Sequence, residues 1–174
     1  MLPNILTTVR LILVPVFAYF MLGAGEFHIA ALIFILSGIT DVVDGYIARH
    51  YNMITSFGKV YDPFVDKLMQ ITAIVCLVLV EIVPLWLLIV VCVKEISMII
   101  AGGILYLNKI VVSSSWSGKV STVIFYAGVL MMIVWREIPP LAETLVFAFM
   151  VAAMCLAACW YIIDTIRNYD KKRI

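Results

Sequence analysis

Four carboxylates at helical spacing dominate the chemistry available to this chain: Asp41-x2-Asp44-Gly45-x2-Ala48-Arg49, followed by Gly58-x3-Asp62-x3-Asp66. Asp41 and Asp44 are three residues apart and Asp62 and Asp66 four, so on helices each pair shares a face. If both faces turn inward, like charges that close either hold protons in common or are neutralised by cations. Hard divalent ions such as Mg²⁺ or Mn²⁺ prefer carboxylate oxygen, whereas zinc or copper would call for His or Cys. The one histidine in reach, His50, lies outside the spacing of the acids. Two such ions, about 3.5 to 4 Å apart, form the recurrent clamp of phosphoryl transfer. Gly45, Ala48 and Gly58 leave room for a bulky ligand near the backbone, and Arg49 offers a planar fork suited to phosphate. Two other readings stand beside this one. The acids could pair with Arg10, Arg49, Lys59 and Lys67 in an interfacial salt network, which would not require two glycines and an alanine at fixed offsets. They could instead line the path of a cation channel or transporter, which would call for carboxylates at several depths.

The elements that must position these residues are membrane helices. Of 174 residues, 65% are hydrophobic and 13% charged, with a mean hydropathy of +1.14, against about half and roughly a quarter in an ordinary globular domain. A helical span needs about 20 residues, and six candidates follow one another: Ile5 to Leu22, His28 to Arg49, Val60 to Val80, Leu85 to Tyr106, Gly118 to Trp135, and Leu141 to Asp164. An ionisable group at the bilayer centre costs roughly 2.5 to 3.5 kcal/mol, so the position of the acids near span ends lowers their cost. The first span does not read as a cleaved signal: no basic segment precedes it, Arg10 interrupts it, and no small-residue cleavage site follows. Arg49, Lys59, Lys109, Lys119, Arg167, Lys171, Lys172 and Arg173 gather on one side and Arg136 on the other, which places both termini and the acidic turn in the cytoplasm. Trp86, Trp116, Trp135 and Trp160 fall near span ends, where interfacial anchors belong.

The net charge of +1 argues against a nucleic-acid partner. The basic tail suits anionic headgroups, or serves only to fix topology. Cys76, Cys92, Cys155 and Cys159 lack zinc-site spacing and read as packing residues. No long linker or internal repeat interrupts residues 1–174, which read as one domain.

With these residues in view, the sequence resembles the CDP-alcohol phosphatidyltransferases, whose pattern D-x2-D-G-x2-A-R-x8-G-x3-D-x3-D is matched at every fixed position from Asp41 to Asp66. The resemblance implies an all-α integral membrane protein with six transmembrane helices enclosing a cytosol-facing polar cavity, in a bacterial cytoplasmic membrane, and a homodimer. It implies that a hydroxyl attacks the β-phosphorus of a CDP-linked lipid and CMP leaves. Asp41, Asp44, Asp62 and Asp66 would hold the divalent cations, two per site, with Asp66 the candidate base. Asp41, Gly45, Ala48, Arg49, Gly58 and Asp62 would bind the CDP group.

The opening Pro3-Asn4-Ile5-Leu6-Thr7-x2-Arg10 resembles the phosphatidylglycerophosphate synthases and the related cardiolipin synthases. Both would take CDP-diacylglycerol, the first with glycerol 3-phosphate and the second with phosphatidylglycerol as acceptor. Arg10, Lys94 and Lys119 are the candidates for the acceptor phosphate; snorkelling or internal ion pairing is the alternative for each. Glu95 is expected to point to a different face from Lys94 and not to be its partner. Glycerophosphate-using relatives typically carry Arg-Glu at this point and a further Arg soon after, whereas Ile96 to Leu105 contains none. Lys can still hold a phosphate as a point charge, and glycerol 3-phosphate ranks first.

The two acid-bearing spans are expected to form an antiparallel pair. Asp62-Pro63 reads as a helix start or a kink, and Asn108 to Ser117 as a loop.

Overall fold

The computed structural model describes residues 2–50, 58–107, 116–135 and 139–171. Among the described residues six α-helices follow in order: α1 (Leu2–Ala18), α2 (Phe27–His50), α3 (Gly58–Leu79), α4 (Leu85–Leu107), α5 (Trp116–Val134) and α6 (Pro140–Lys171). The turn joining α2 to α3, the segment from 108 to 115, Arg136, and the basic residues Lys172 and Arg173 lie outside the described residues. Among the described residues, Leu6–Gly23, Phe27–Tyr46 and Pro140–Trp160 are each long and apolar enough to cross a membrane, and Val120–Val134 forms a shorter apolar helix.

The helix boundaries follow from local chemistry. α1 runs into a π-helical turn, Tyr19–Gly23, and the chain reverses through Gly25 at φ 68°, a left-handed conformation that costs glycine little. After α3 the reversal passes through Glu81 at φ 59°, where glycine would be usual, and closes with the amides of Ile82 and Val83 both donating to the Leu77 carbonyl. α3 already runs from Gly58, so Asp62-Pro63 lies in its second turn and is not its start. A proline so near the beginning of a helix removes one backbone hydrogen bond without ending it. Trp116 and Ser117, expected in a loop, belong to α5.

Two compact units divide the chain. The first comprises Met1–Leu88 and Val129–Arg136, the second Ile89–Gly128 and Glu137–Ile174. Within the first, α1 packs along both α2 and α3. α1 thus bridges the two helices that the sequence leads one to expect as an antiparallel pair. Phe17 of α1 and Phe34 of α2 meet with ring centroids 5.7 Å apart, and Ala30, Ala31 and Ala73 are buried. Small residues of this kind let helices approach closely where lipid supplies little hydrophobic drive and close packing must hold helices together. In the second unit, Gly128 of α5 serves the same end. A Cβ there would press into the Met150 side chain of α6, so glycine leaves the space that Met150 fills.

Outward faces are apolar. Ile12, Leu32, Ile39, Phe64, Leu141 and Leu156 are all exposed, as expected of surfaces that meet acyl chains and not water. Trp86 and Trp135 are also exposed near the ends of their helices, and Trp160 is exposed where the apolar part of α6 ends. Of the cysteines, Cys76 is buried and Cys92 partly so, but Cys155 and Cys159 are exposed on one face of α6. The expectation that all four are packing residues fails for this pair, because the face they share is turned away from the rest of its own unit.

Candidate functional site

α1 gathers the acids. Arg10, wholly buried, donates from one terminal nitrogen to Asp41 Oδ1 and from the other to Asp44 Oδ2, both at 2.5 Å. Thr7, three residues earlier and on the same face of α1, donates its hydroxyl to Asp62 Oδ1 at 2.6 Å. One helix face thus ties two carboxylates of α2 to one of α3. The fourth acid, Asp66, lies one turn beyond Asp62 and accepts a hydrogen bond at Oδ2 from Gln70 Nε2, 2.9 Å away.

Burial separates the members of this group. Asp44 is almost fully enclosed, its side chain 4% exposed, whereas that of Asp41 is 41% exposed. Asp41 is thus the side of the group nearest to approach from outside. Bonds between ionised partners are stronger than neutral ones, and removal of one partner from a buried pair leaves an uncompensated charge. Arg10 Nε, by contrast, is buried with no hydrogen-bond partner.

Sequence reasoning named Arg10 and all four acids but gave no role to Thr7 or Gln70. Both could have been found from spacing: Thr7-x2-Arg10 is an i, i+3 pair, and Gln70 continues the four-residue register of Asp62 and Asp66. Of the two roles open to Arg10 on spacing, acceptor-phosphate ligand and internal ion-pair partner, the contacts match the second: its two terminal nitrogens are engaged by Asp41 and Asp44. Lys94 donates to Glu95 Oε1 at 2.6 Å, with both side chains largely buried. This corrects the expectation that Glu95 is not its partner. Neighbouring residues do diverge around a helix, but the four-carbon stem of lysine is long enough to fold back along the surface. His50 stacks on Tyr46, the rings 5.6 Å apart and nearly parallel. The side chains of Ala48, Arg49, Gly58 and Lys119 lie outside the described residues.

Gly45, one residue after Asp44, faces open space: a Cβ built there meets nothing within 4 Å. The protein's own packing does not demand glycine at this helical position, where alanine would be favoured by about 1 kcal/mol. Gly45→Ala is therefore expected to keep or raise the thermal midpoint in detergent while raising about tenfold the KM for a substrate that approaches the helix there, equivalent to about 1.4 kcal/mol of lost binding. An unchanged KM would show that no ligand uses this space.

A family model for CDP-alcohol phosphatidyltransferases matches residues 1–162. The chain belongs to the CDP-alcohol phosphatidyltransferase family. A Bacillus subtilis relative named CDP-diacylglycerol–glycerol-3-phosphate 3-phosphatidyltransferase is 35% identical over 135 residues, 70% of each chain. A Rickettsia felis protein of the same name is 49% identical over 70 residues, 39% of each chain. A Streptomyces coelicolor cardiolipin synthase (CMP-forming) is 39% identical over 108 residues, 59% of this chain and 50% of that one. The chain thus aligns with between about two-fifths and 70% of the length of these relatives. As a member of this family it is an enzyme of the transferase class, carrying helices long enough for a membrane.

Proposed function

We propose that the protein transfers the phosphatidyl group of CDP-diacylglycerol to glycerol 3-phosphate, releasing CMP and leaving phosphatidylglycerophosphate for phospholipid synthesis. The observation that carries this reading is the convergence of Asp41, Asp44 and Asp62 on one face of α1, within a family whose relatives include the glycerol-3-phosphate enzymes of Bacillus and Rickettsia. The family match extends through both compact units, which supports reading them as one functional domain.

The donor set is made of hard oxygen and suits Mg²⁺ or Mn²⁺. Among the described residues no three ligands form a finished cation cage; Arg10 and the Thr7 hydroxyl hold three of the acids instead. Divalent cations, when held by Asp41, Asp44, Asp62 and Asp66, would polarise the pyrophosphate and neutralise charge on the departing CMP. Asp66 takes the proton of the acceptor hydroxyl, that oxygen bonds to the β-phosphorus, and the bond from this phosphorus to the oxygen carried off by CMP breaks. Gln70 orients Asp66 by holding Oδ2. Gly45 admits the nucleotide half of the donor beside Asp44, together with Ala48, Arg49 and Gly58. Six membrane spans, with both termini and the acids on the cytoplasmic side, and a homodimer belong to the same proposal; the dimer rests on the family alone.

Phosphatidylglycerol as acceptor is the second reading, favoured by the likeness to the Streptomyces protein and by the Lys94–Glu95 pair, which offsets the charge of a candidate phosphate ligand. CMP release by purified protein with Mn²⁺ and CDP-diacylglycerol separates the two: CMP is expected with glycerol 3-phosphate. Release only with phosphatidylglycerol would overturn the first choice. Release with neither acceptor would return attention to a cation path, tested by ion flux in liposomes.

A further inference from the structure

We infer that Arg10 is a built-in counter-cation that competes with a divalent ion for Asp41 and Asp44. The inference rests on the metal-site reading proposed above and adds a competitor to it. Three observations carry it. The guanidinium spans the two carboxylates of α2, engaging one oxygen of each, so it sits where a bridging cation would neutralise the same charges. It is wholly buried, so the acids and the arginine neutralise one another in surroundings where either alone would be costly. Its Nε–H is buried without a partner, so that nitrogen does not hold the guanidinium against displacement.

Thr7 gives the exchange a fixed frame. Its hydroxyl holds Asp62 from the same face of α1, so α1 can keep α2 and α3 in register while the arginine side chain moves. The route of entry is by Asp41, the more exposed of the two acids that Arg10 holds. Arg10 is in this account a positioning residue. It sets the charge and spacing of the acids and does not touch the reacting atoms.

The consequence is a trade between stability and metal affinity. A neutral side chain at position 10 leaves the acids mutually repelling in the metal-free protein and removes the charge that opposes a cation. Mn²⁺ binding to metal-stripped protein in detergent, followed by the electron paramagnetic resonance signal of free Mn²⁺, tests this. Arg10→Met is expected to bind Mn²⁺ at least about tenfold more tightly than the native chain, the direction required when a like charge close to the ion is removed. The metal-free variant should melt earlier, and saturating Mn²⁺ should raise its midpoint by more than it raises the native one. R10K, which keeps the charge but loses the planar fork, should fall between the two and serves alone if Arg10→Met does not fold. Native Mn²⁺ binding that Asp44→Asn removes, with no tightening in either position-10 variant, would overturn the inference and leave the metal site standing. Absence of Mn²⁺ binding in the native chain at millimolar metal would overturn both.

Discussion

Asp66→Asn is expected to lower CMP release by about 10² to 10⁴-fold, the range that a positioned general base contributes, while leaving a folded protein. The replacement is nearly isosteric, and an asparagine carbonyl can still accept from Gln70 Nε2, which now meets Asp66 Oδ2 at 2.9 Å. What is lost is the capacity to take a proton, together with the negative charge of a proposed cation ligand. These two losses can be told apart by varying Mn²⁺. A weakened ligand set is rescued in part by excess metal, whereas a missing base is not. The decisive measurement is CMP release by metal-saturated variant alongside its thermal midpoint in detergent. Near-normal turnover would remove Asp66 from the role of base, and recovery with added Mn²⁺ would assign it to metal binding alone.

Much of this arrangement could be read before any coordinates because the signals were periodic or costly. Apolar runs long enough to cross a bilayer predicted six helices, and each described helix agrees within a few residues except at the end of α6, which continues to Lys171. There the sequence turns polar after Ile163, so hydropathy ends the span even though the backbone hydrogen bonding continues. The four acids stood out because carboxylates in an apolar chain need compensation. The compensator was harder to assign, since a buried arginine in a first span serves a ligand phosphate or an internal carboxylate equally well on spacing alone. Only the packing of α1 against both α2 and α3 decides that its guanidinium meets Asp41 and Asp44. Lys94 and Glu95 show the converse limit: helical geometry fixes where their Cβ atoms point, but a flexible stem can override that divergence. Glu81 at positive φ had no local signal, because its conformation is imposed by the turn that closes onto Leu77.

Asp44→Asn is expected to be the most destabilising conservative change in the acid group, costing about 3 to 5 kcal/mol in metal-free protein, as for other buried pairs broken on one side. Asp41→Asn should cost only about 1 kcal/mol or less, the scale of partly solvated pairs. Both acids meet the same guanidinium at the same distance, so Coulomb attraction between neighbours does not distinguish them. Solvent does. The side chain of Asp44 is 4% exposed and that of Asp41 41%, so water can compensate for the loss at one position and not at the other. Arg10, wholly enclosed, would keep a full charge facing an amide in Asp44→Asn. The same reasoning fixes the sign of a double-mutant cycle. Adding Arg10→Met to Asp44→Asn should cost less than the sum of the two single changes, because the buried guanidinium that has lost one of its two carboxylates is removed with it, although Arg10→Met alone is destabilising. Thermal unfolding of the four metal-stripped proteins in one detergent supplies the cycle. Equal, small losses for Asp41→Asn and Asp44→Asn with additive behaviour in the double variant would mean that the acids form a solvated surface network. Unequal losses with strong coupling would mean that α1 carries a buried charge whose stability depends on the carboxylates proposed to bind metal.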